Sequence, residues 1–122
     1  MATSPTSPRV APDLPQPRRG EVWWVAFDPS VGGEIRKTRP AIILSNDAAN
    51  AALNRVQVIP IGSQIGRLYP GEAFIDLNGE RRKAMADQIT TVSKLRLRNR
   101  SGWLSAGDLA TVERAVHLQL AL

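Results

Sequence analysis

Apolar residues in this chain come in short runs that alternate with glycine, proline and asparagine. The first run covers residues 20–27, is rich in aromatic and β-branched residues, and stops at Asp28-Pro29. Runs of this kind, closed by turn-forming residues, are typical of β-strands. Trp23 and Trp24 are neighbours in this run and face opposite sides of the predicted strand. We therefore expect one of them in the core and the other nearer the surface or a subunit interface.

Further apolar runs predict four more strands, over residues 40–45, 56–61, 72–77 and 84–92. Between the second and third, residues 48–53 form a short alanine-rich segment that Asn46 or Asp47 can cap as a helix. Pro60 suggests that the third strand is an edge strand or carries a bulge. Asn78-Gly79 is a tight-turn signal that precedes a basic loop and the fifth strand. Short strands with this punctuation favour a small barrel.

The carboxyl-terminal segment changes to a helical period. Apolar residues recur there on one helical face, at Leu109, Val112, Val116 and Leu120. Ser105 precedes them as a capping residue with Asp108 three positions later, which indicates the start of a helix. His117 lies beside the apolar stripe, so we interpret it as a packing residue at its boundary and not as a catalyst. Trp103 is expected to pack under this helix.

Composition indicates one domain with an amino-terminal tail. The chain has 122 residues and no cysteine, so disulfides, thiolate metal sites and cysteine nucleophiles are excluded. Residues 1–18 hold five of the nine prolines and little apolar periodicity, which predicts a disordered tail followed by one domain over 19–122. No run resembles a signal peptide or is long enough to span a bilayer. We expect a cytoplasmic protein with no membrane partner.

Basic residues outnumber acidic ones, and they are clustered. Sixteen Lys and Arg against eleven Asp and Glu give a formal charge of +5. Three groups hold most of the excess: Arg36, Lys37 and Arg39; Arg81, Arg82 and Lys83; and Lys94, Arg96, Arg98 and Arg100. Each group alone is compatible with a solvated surface. Together they favour nucleic acid or an acidic protein as the partner.

Arg39-Pro40 combines a permanent charge with a restricted backbone. The ring of Pro40 fixes its own φ and drives Arg39 toward an extended conformation at the start of a predicted strand. Arginine keeps its proton and presents a planar fork that matches phosphate oxygens. The preceding residues 32–38 are polar and glycine-rich. This arrangement suits a phosphate-handling site, although an ordinary strand opening with a solvated cation has the same sequence.

In this order and spacing, the motifs resemble the MazF/PemK-like toxins, which include the Kid ribonucleases and share an open barrel with the CcdB toxins. The motifs that carry the resemblance are Arg19-Gly20-Glu21-Val22-Trp23, Asp28-Pro29 with Gly32-Gly33-Glu34, Thr38-Arg39-Pro40-Ala41, Val58-Ile59-Pro60-Ile61, Ala86-Asp87-Gln88-Ile89 with Thr91-Val92, and the last helix. The resemblance covers about residues 18–122. It implies an α+β fold: a small open SH3-like barrel of the CcdB/MazF/PemK type with a carboxyl-terminal amphipathic helix.

The resemblance also implies a function. Members of this family are toxins of type II toxin-antitoxin systems and metal-independent endoribonucleases that need no cofactor. They cut single-stranded mRNA, rRNA or tRNA at short sequences and so inhibit translation and growth. The implied partners are a second copy of the chain, which makes a homodimer, and an acidic antitoxin that fills the RNA groove, in a heterohexamer or similar complex. DNA would be contacted only through the antitoxin.

Three residues match catalytic positions of the family or stand in for them. Arg39 matches the catalytic arginine, which would stabilise the charge on the phosphorane or also serve as the acid. Ser63 is the candidate phosphate-contacting hydroxyl, because Gly62-Ser63-Gln64 stands where many relatives have threonines; a solvated loop serine is the alternative. Glu34 matches an acidic residue of the first loop and would act as a base or orient Arg39. It is also interpretable as a surface carboxylate that screens nearby cations.

Residues expected to bind RNA surround these three: Arg36, Lys37, Thr38, Gln64, Arg67, Tyr69, Arg82, Lys83 and Asp87. Asp87 is equally interpretable as a strand residue of the dimer interface. Base recognition is assigned to the loops 29–38 and 62–71, since single strands are read by stacking and by base-edge hydrogen bonds. Gly33 and Met85 stand where some relatives, Kid among them, have histidine and arginine, so their acid and base roles do not transfer.

Two other functions fit the same residues. A CcdB-like inhibitor of a topoisomerase shares the fold but does not need an arginine, a hydroxyl and an acid in one groove. A nonenzymatic basic barrel that binds RNA would need the charge alone. Cleavage of RNA distinguishes the first interpretation from both.

Overall fold

The computed structural model describes residues 14–27 and 37–122. Within them are seven strands: β1 (Glu21–Ala26), β2 (Thr38–Ile43), β3 (Arg55–Gly62), β4 (Glu72–Leu77), β5 (Glu80–Met85), β6 (Thr90–Ser93) and β7 (Leu97–Trp103). There are also two α-helices, α1 (Asp47–Ala52) and α2 (Ala106–Leu120). Short 3-10 turns over Ala86–Gln88 and Lys94–Arg96 join β5 to β6 and β6 to β7.

The strands form one antiparallel sheet that curls on itself. Its order is β4-β5-β3-β2-β1-β7, and β6 pairs with β3 beyond the end of β5. Alternate residues of the same strands face opposite sides, and each side has its own core. Val25, Ile43 and Val58 belong to the core enclosed by β1, β2, β3, β6 and β7. Val22 and Ile42 belong to the core under α2. The predicted small open barrel with a carboxyl-terminal helix is confirmed.

Pro60 was predicted to mark an edge strand or a bulge. It lies in an internal strand with no register shift in its pairing, so neither alternative holds. On one side β3 pairs with β2, and Pro60 is opposite Ala41. On the other side its partner is β6 up to Val58 and β5 from Ile61 onward. The proline occupies the interval between these two partners, where no ladder hydrogen bond is required of its nitrogen. A change of neighbour therefore accommodates the proline, and no free edge is needed.

The predicted fifth strand over residues 84–92 is two strands in the structure. β5 begins at Glu80, directly after the Asn78-Gly79 turn, and ends at Met85. A 3-10 turn follows, and β6 begins at Thr90. The basic residues from Arg81 to Lys83 are therefore strand residues and not a loop. The turn itself is confirmed, since both Asn78 and Gly79 have positive φ, 52° and 85°, as a two-residue hairpin of this twist requires.

Helix α2 begins as the sequence predicts and covers the core that contains Val22 and Ile42. The Ser105 hydroxyl accepts a hydrogen bond of 3.1 Å from the backbone N–H of Asp108. Val112 and Val116 are buried, whereas His117 is exposed and lies outside the packed surface. The hydrophobic stripe anchors α2 across β4, beside one end of the sheet.

The three tryptophans differ in exposure. Trp23 is half-buried against the barrel core, whereas Trp24 on the opposite face is 37% exposed, which confirms the expected split. Trp103 is 68% exposed at the end of β7, so the prediction that it packs under the last helix was wrong. Its position on a terminal strand leaves its ring free to meet the Arg100 guanidinium, 5.7 Å from the ring centroid.

The predicted tail over residues 1–18 falls largely outside the described residues. At its end, the Arg18 guanidinium forms an ion pair of 3.1 Å with Asp47 of α1, and the Arg18 N–H donates to Glu21. The chain is therefore attached to the barrel before β1 begins. In the described part of the chain, no helix is long and apolar enough to cross a membrane.

Candidate active site

A cleft of about 260 Å³ opens where six strands approach one another. Its lining residues come from β1, β2, β3, β4, β5, β7 and the segments beside them: Trp24, Arg39, Pro40, Ile61, Ser63, Leu77, Asn78, Glu80, Arg82 and Ser101. Most lining residues are polar or charged, and Trp24, Ile61 and Leu77 form the apolar part of the wall together with Pro40. Three residues predicted to act on RNA, Arg39, Ser63 and Arg82, are brought together in this cleft.

Arg39 enters the cleft from the second position of β2, where it lies opposite Val25 of β1. The strand pairing and Pro40 together hold its backbone extended, as the sequence predicts. The residue is half-buried, and among the described residues no carboxylate pairs with its guanidinium. The cleft therefore contains a positioned positive charge that an incoming anion can neutralise.

Ser63 lies directly after β3 and is exposed. The strand pairing ends there, since Gly62 is the last residue of β3 that pairs with β5, opposite Lys83. The chain leaves the sheet at this point, which puts the Ser63 hydroxyl at the cleft surface beside the strand that carries Arg82. Ser63, Arg39 and Arg82 thus line one small cavity.

The alternation of β5 decides which of its basic side chains reaches the cleft. Glu80 is paired with Leu77 and Arg82 with Ile75 across the hairpin, so all of these share one face. Arg81 has the opposite orientation, and its guanidinium lies 4.9 Å from the centroid of the Phe74 ring. Arg82 therefore belongs to the cleft and Arg81 to the outer surface.

Glu80 was not identified from the sequence. Its carboxylate forms an ion pair of 2.6 Å with the Arg82 guanidinium, and the two side chains are 69% and 32% exposed, respectively. The signal that could have found it is the Asn-Gly turn: once the turn is fixed, a two-residue alternation places Glu80 and Arg82 on the same face. The sequence pattern instead predicts a basic loop after Asn78-Gly79, and a loop has no such alternation.

Lys83 was predicted to bind RNA, but the structure places its ammonium beneath the loop that follows β3. Its side chain is 9% exposed and pairs with Glu72 at 3.1 Å. It also donates a hydrogen bond of 2.6 Å to the carbonyl oxygen of Arg67. The pKa of Glu72 is lowered, first by the backbone N–H of Tyr69 and then by Lys83. Lys83 thus fixes the loop from below and does not line the cleft.

The remaining predicted RNA contacts lie outside the cleft or outside the described residues. Tyr69 is 53% exposed, with the Arg67 guanidinium 5.1 Å from its ring centroid, and both are on the loop after β3. The exposed residues Lys37, Thr38, Gln64 and Asp87 do not line the cleft. Glu34 and Arg36 fall outside the described residues, as does Gly33.

Asn78 closes one wall of the cleft and was singled out from the sequence only as a turn residue. Its side-chain amide donates to the backbone carbonyl of Ser101 at 3.1 Å and lies 3.4 Å from the Ser101 hydroxyl. Gly102 makes room for it, since a Cβ there would lie 3.0 Å from the Asn78 amide oxygen. These contacts join the β4–β5 hairpin to β7. No local sequence pattern reveals a contact between segments so far apart in the chain.

Comparison with known proteins gives the same answer for family and fold. A family model described as the PemK-like, MazF-like toxin of type II toxin-antitoxin systems matches residues 18–120. Endoribonuclease MazF9 of Mycobacterium tuberculosis is 37% identical over 114 residues, which cover 86% of this chain and 97% of the relative. The endoribonuclease toxin MazF of Escherichia coli is 29% identical over 113 residues, with 90% and 95% covered.

A crystal structure of MazE-MazF from Deinococcus radiodurans superimposes with a TM-score of 0.74 at 26% identity, covering 88% of this chain and 97% of that one. The likeness extends over the curled sheet and the terminal helix. The family model spans the whole barrel, including the strands that carry Arg39, Ser63 and Arg82. This chain belongs to the PemK-like, MazF-like toxins of type II toxin-antitoxin systems.

Proposed function

We propose that this chain is an endoribonuclease toxin that cuts single-stranded RNA in the cleft described above. The observation that carries the proposal is that Arg39, a cation with no carboxylate partner among the described residues, shares the cleft with Ser63 and Arg82. The relatives named endoribonucleases support it. Guanidinium and hydroxyl donors are suited to the oxygens of a phosphodiester.

The reaction uses the 2′-hydroxyl of the RNA itself. That oxygen loses its proton and attacks the adjacent phosphorus, the bond to the 5′-oxygen breaks, and the leaving oxygen takes up a proton. The products are a 2′,3′-cyclic phosphate and a 5′-hydroxyl. DNA lacks the attacking group and is not cut. The protein must mainly orient the phosphate and stabilise the charge that builds on its oxygens.

Arg39 is proposed to stabilise that charge. A guanidinium does not give up its proton near neutral pH, so it acts as a fixed positive donor and not as the acid. Ser63 donates a hydrogen bond to a phosphate oxygen, and Arg82 assists in binding the strand. Glu34 is proposed as the base that accepts the 2′-hydroxyl proton. One preorganised donor of this type contributes roughly 100- to 1,000-fold in rate.

The proposal is tested by incubating the purified protein, free of antitoxin, with long unstructured RNAs in EDTA. We expect cleavage with cyclic phosphate ends by the wild type and a loss of roughly 100- to 1,000-fold with Arg39→Ala. Ser63→Ala should lower the cleavage rate more than the affinity for RNA. Arg81→Ala is the matched control, because Arg81 lies on the outer face over Phe74.

Each alternative has its own outcome. RNA that stays intact across many sequences would overturn the proposal. If that RNA is still bound, with an affinity that falls steeply with salt, the chain is a nonenzymatic RNA-binding barrel. Inhibition of a topoisomerase by the same preparation would instead favour a CcdB-like mode of action.

The proposal includes the partners and compartment of such toxins. A solved relative is a MazE-MazF complex. We propose a cognate antitoxin whose acidic segment occupies the cleft, since the chain carries a formal charge of +5 and two arginines line the cavity. A homodimer in the cytoplasm, neutralised in a complex with antitoxin, completes the model.

A further inference from the structure

Glu80 is unusual for a site that binds a polyanion. Among the described residues that line the cleft, it is the only one with a carboxylate. It lies on the cleft face of β5 because it is opposite Leu77 across the hairpin. A negative charge here opposes the binding of phosphates, since two like charges about 4 Å apart repel by about 1 kcal/mol even in water. A carboxylate at this position therefore suits a part of RNA that donates hydrogen bonds.

The geometry of the Glu80 side chain leaves it available for such a role. One oxygen, Oε1, accepts from the Arg82 guanidinium at 2.6 Å. A carboxylate offers about four acceptor sites on two oxygens, so one contact leaves most of that capacity unused. The side chain is 69% exposed, whereas Arg82 is 32% exposed. Arg82 thus holds the carboxylate in place through Oε1, and most of the side chain stays exposed.

The nucleobases differ in what they present to a carboxylate. Guanine has two adjacent donors on its Watson–Crick edge, the N1–H and the N2 amino group. Adenine and cytosine each offer one amino group beside an acceptor nitrogen, and uracil offers one N–H between two carbonyl oxygens. A carboxylate can make two parallel hydrogen bonds only with guanine. Single-stranded RNA exposes this edge, because its bases are unpaired and can be turned outward.

The cleft supplies the other surface that a base requires. Trp24 and Leu77 line it near Glu80, and Trp24 is 37% exposed. An aromatic face stacks on any base and contributes affinity without choosing among bases. Hydrogen bonds to the base edge then make the choice. The Trp24 ring and the Glu80 carboxylate belong to residues that line the same cavity as Arg39 and Ser63.

We propose that Glu80 is a specificity-determining residue that binds a guanine base of the RNA through its N1–H and N2 amino donors. Arg82 positions the carboxylate and neutralises part of its charge. The inference rests on the proposed function, since it assigns the substrate base of the same cleft. It predicts that the preferred RNA contains a guanine close to the cut.

The test begins with the wild-type protein and a pool of random-sequence RNA, whose cut ends are sequenced. The preferred sequence is then made as a short RNA with guanine or with inosine, which lacks only the N2 amino group. Cleavage and binding of both RNAs are measured with wild type, Glu80→Gln and Asp76→Asn. Asp76 is an exposed residue of β4 that lies opposite Arg81 in the strand register, on the outer face, so its variant controls for the change of charge.

We expect inosine and Glu80→Gln each to lower kcat/KM or affinity by about 5- to 150-fold, the range for one bidentate base contact. Their effects should not add, because both remove the same contact. Glutamine carries one donor and one acceptor, so Glu80→Gln should gain relative preference for adenine at that position. Asp76→Asn should behave like wild type.

Several results would overturn the inference while leaving the proposed function intact. One is cleavage without a guanine preference; another is a Glu80→Gln variant whose sequence preference is unchanged. A Glu80→Gln variant that loses cleavage of every sequence equally would assign the carboxylate to the reaction and not to base recognition. If no RNA is cut, the proposed function fails, and the RNAs that wild type and Glu80→Gln retain by binding from the same random pool decide whether Glu80 binds guanine: an equal guanine content in both would overturn the inference.

Discussion

The amino group of Lys94 is fully buried and has no hydrogen-bond partner among the residues that the structure describes. The residue is 0% exposed, in the 3-10 turn between β6 and β7, and its backbone N–H donates to Asn54. Desolvation by burial lowers the pKa of its ammonium, since the charged form is disfavoured away from water. In the sequence it looked like one of four solvated basic residues near the carboxyl end.

We expect Lys94→Met to raise the free energy of unfolding by about 1–3 kcal/mol near neutral pH, because it removes a buried polar group without a partner. The folded pKa of Lys94 is below its ordinary value of 10.5, so the unfolded chain binds more protons in the interval between the two. The penalty is therefore greatest at low pH and declines as pH rises toward 10.5.

Urea denaturation of wild type and Lys94→Met across this pH range measures the effect. The difference between the two proteins should shrink toward alkaline pH. Lys37→Met, at an exposed lysine, should leave stability unchanged. A Lys94→Met protein that is less stable than wild type would show that the amino group has a stabilising partner in solution.

Among the elements, the β4–β5 hairpin contributes most to the cleft. It presents Leu77, Glu80 and Arg82 on one face, and its turn carries Asn78. Asn78 has a φ of 52°, which asparagine and glycine tolerate better than other residues. The Asn78 side chain also donates a hydrogen bond to Ser101 of β7, so the conformation of the turn and one wall of the cleft both depend on this residue.

Two substitutions separate these roles. Asn78→Gly keeps a backbone suited to positive φ but loses the contact to Ser101, whereas Asn78→Ala loses both. We expect Asn78→Ala to cost about 2–3 kcal/mol of unfolding free energy and Asn78→Gly about 1 kcal/mol less than that. The kcat/KM for RNA should fall similarly in both, because both lack the contact. Activity that follows stability instead would assign Asn78 to the turn alone.

Local patterns were sufficient for some elements and not for others. The cap of α2, the apolar period of its first turns and the Asn78-Gly79 turn depend on neighbouring residues, so the sequence predicts them directly. The division of residues 84–92 and the position of Pro60 depend on which strands meet β3. Those are contacts between distant segments, and no local signal encodes them.

The site divides in the same way. Arg39 and Ser63 were identified by their place in ordered motifs, and both line the cleft. Three adjacent basic residues do not by themselves show which side chain reaches the cleft, and this was the case for Arg81, Arg82 and Lys83. Their positions follow from strand alternation and from the loop that buries Lys83. The turn and strand alternation place Glu80 on the face of Arg82, whereas the role of Asn78 in the cleft depends on its contact with β7.

At the scale of the whole molecule, positive charge is in excess but only part of it faces the cleft. Arg39 and Arg82 line the cavity, whereas Arg81 lies over Phe74 and Lys83 is buried. Net charge attracts RNA from a distance, and salt screens that attraction. A cation that contacts a phosphate in the complex should therefore change how steeply the affinity for RNA falls with salt. A cation elsewhere on the surface should not.

We expect the affinity for a 2′-O-methyl RNA, which cannot be cut, to fall linearly with salt on logarithmic axes. Arg39→Ala should reduce the slope by about 0.7, the contribution of one phosphate contact with a single strand. Arg81→Ala should leave the slope unchanged. Fluorescence anisotropy at several salt concentrations measures both. Equal slopes for wild type and Arg39→Ala would mean that this guanidinium does not neutralise a phosphate in the complex.

The contact between Asn78 and Ser101 has a consequence for how a polymer reaches the cleft. The barrel is completed there by a side chain lying against a strand, and the cavity that both residues line is partly open to solvent. A flexible RNA strand can enter an open cleft sideways and need not be threaded from its end. An interior stretch of a long transcript, or of a circular one, is as accessible to this geometry as a terminus.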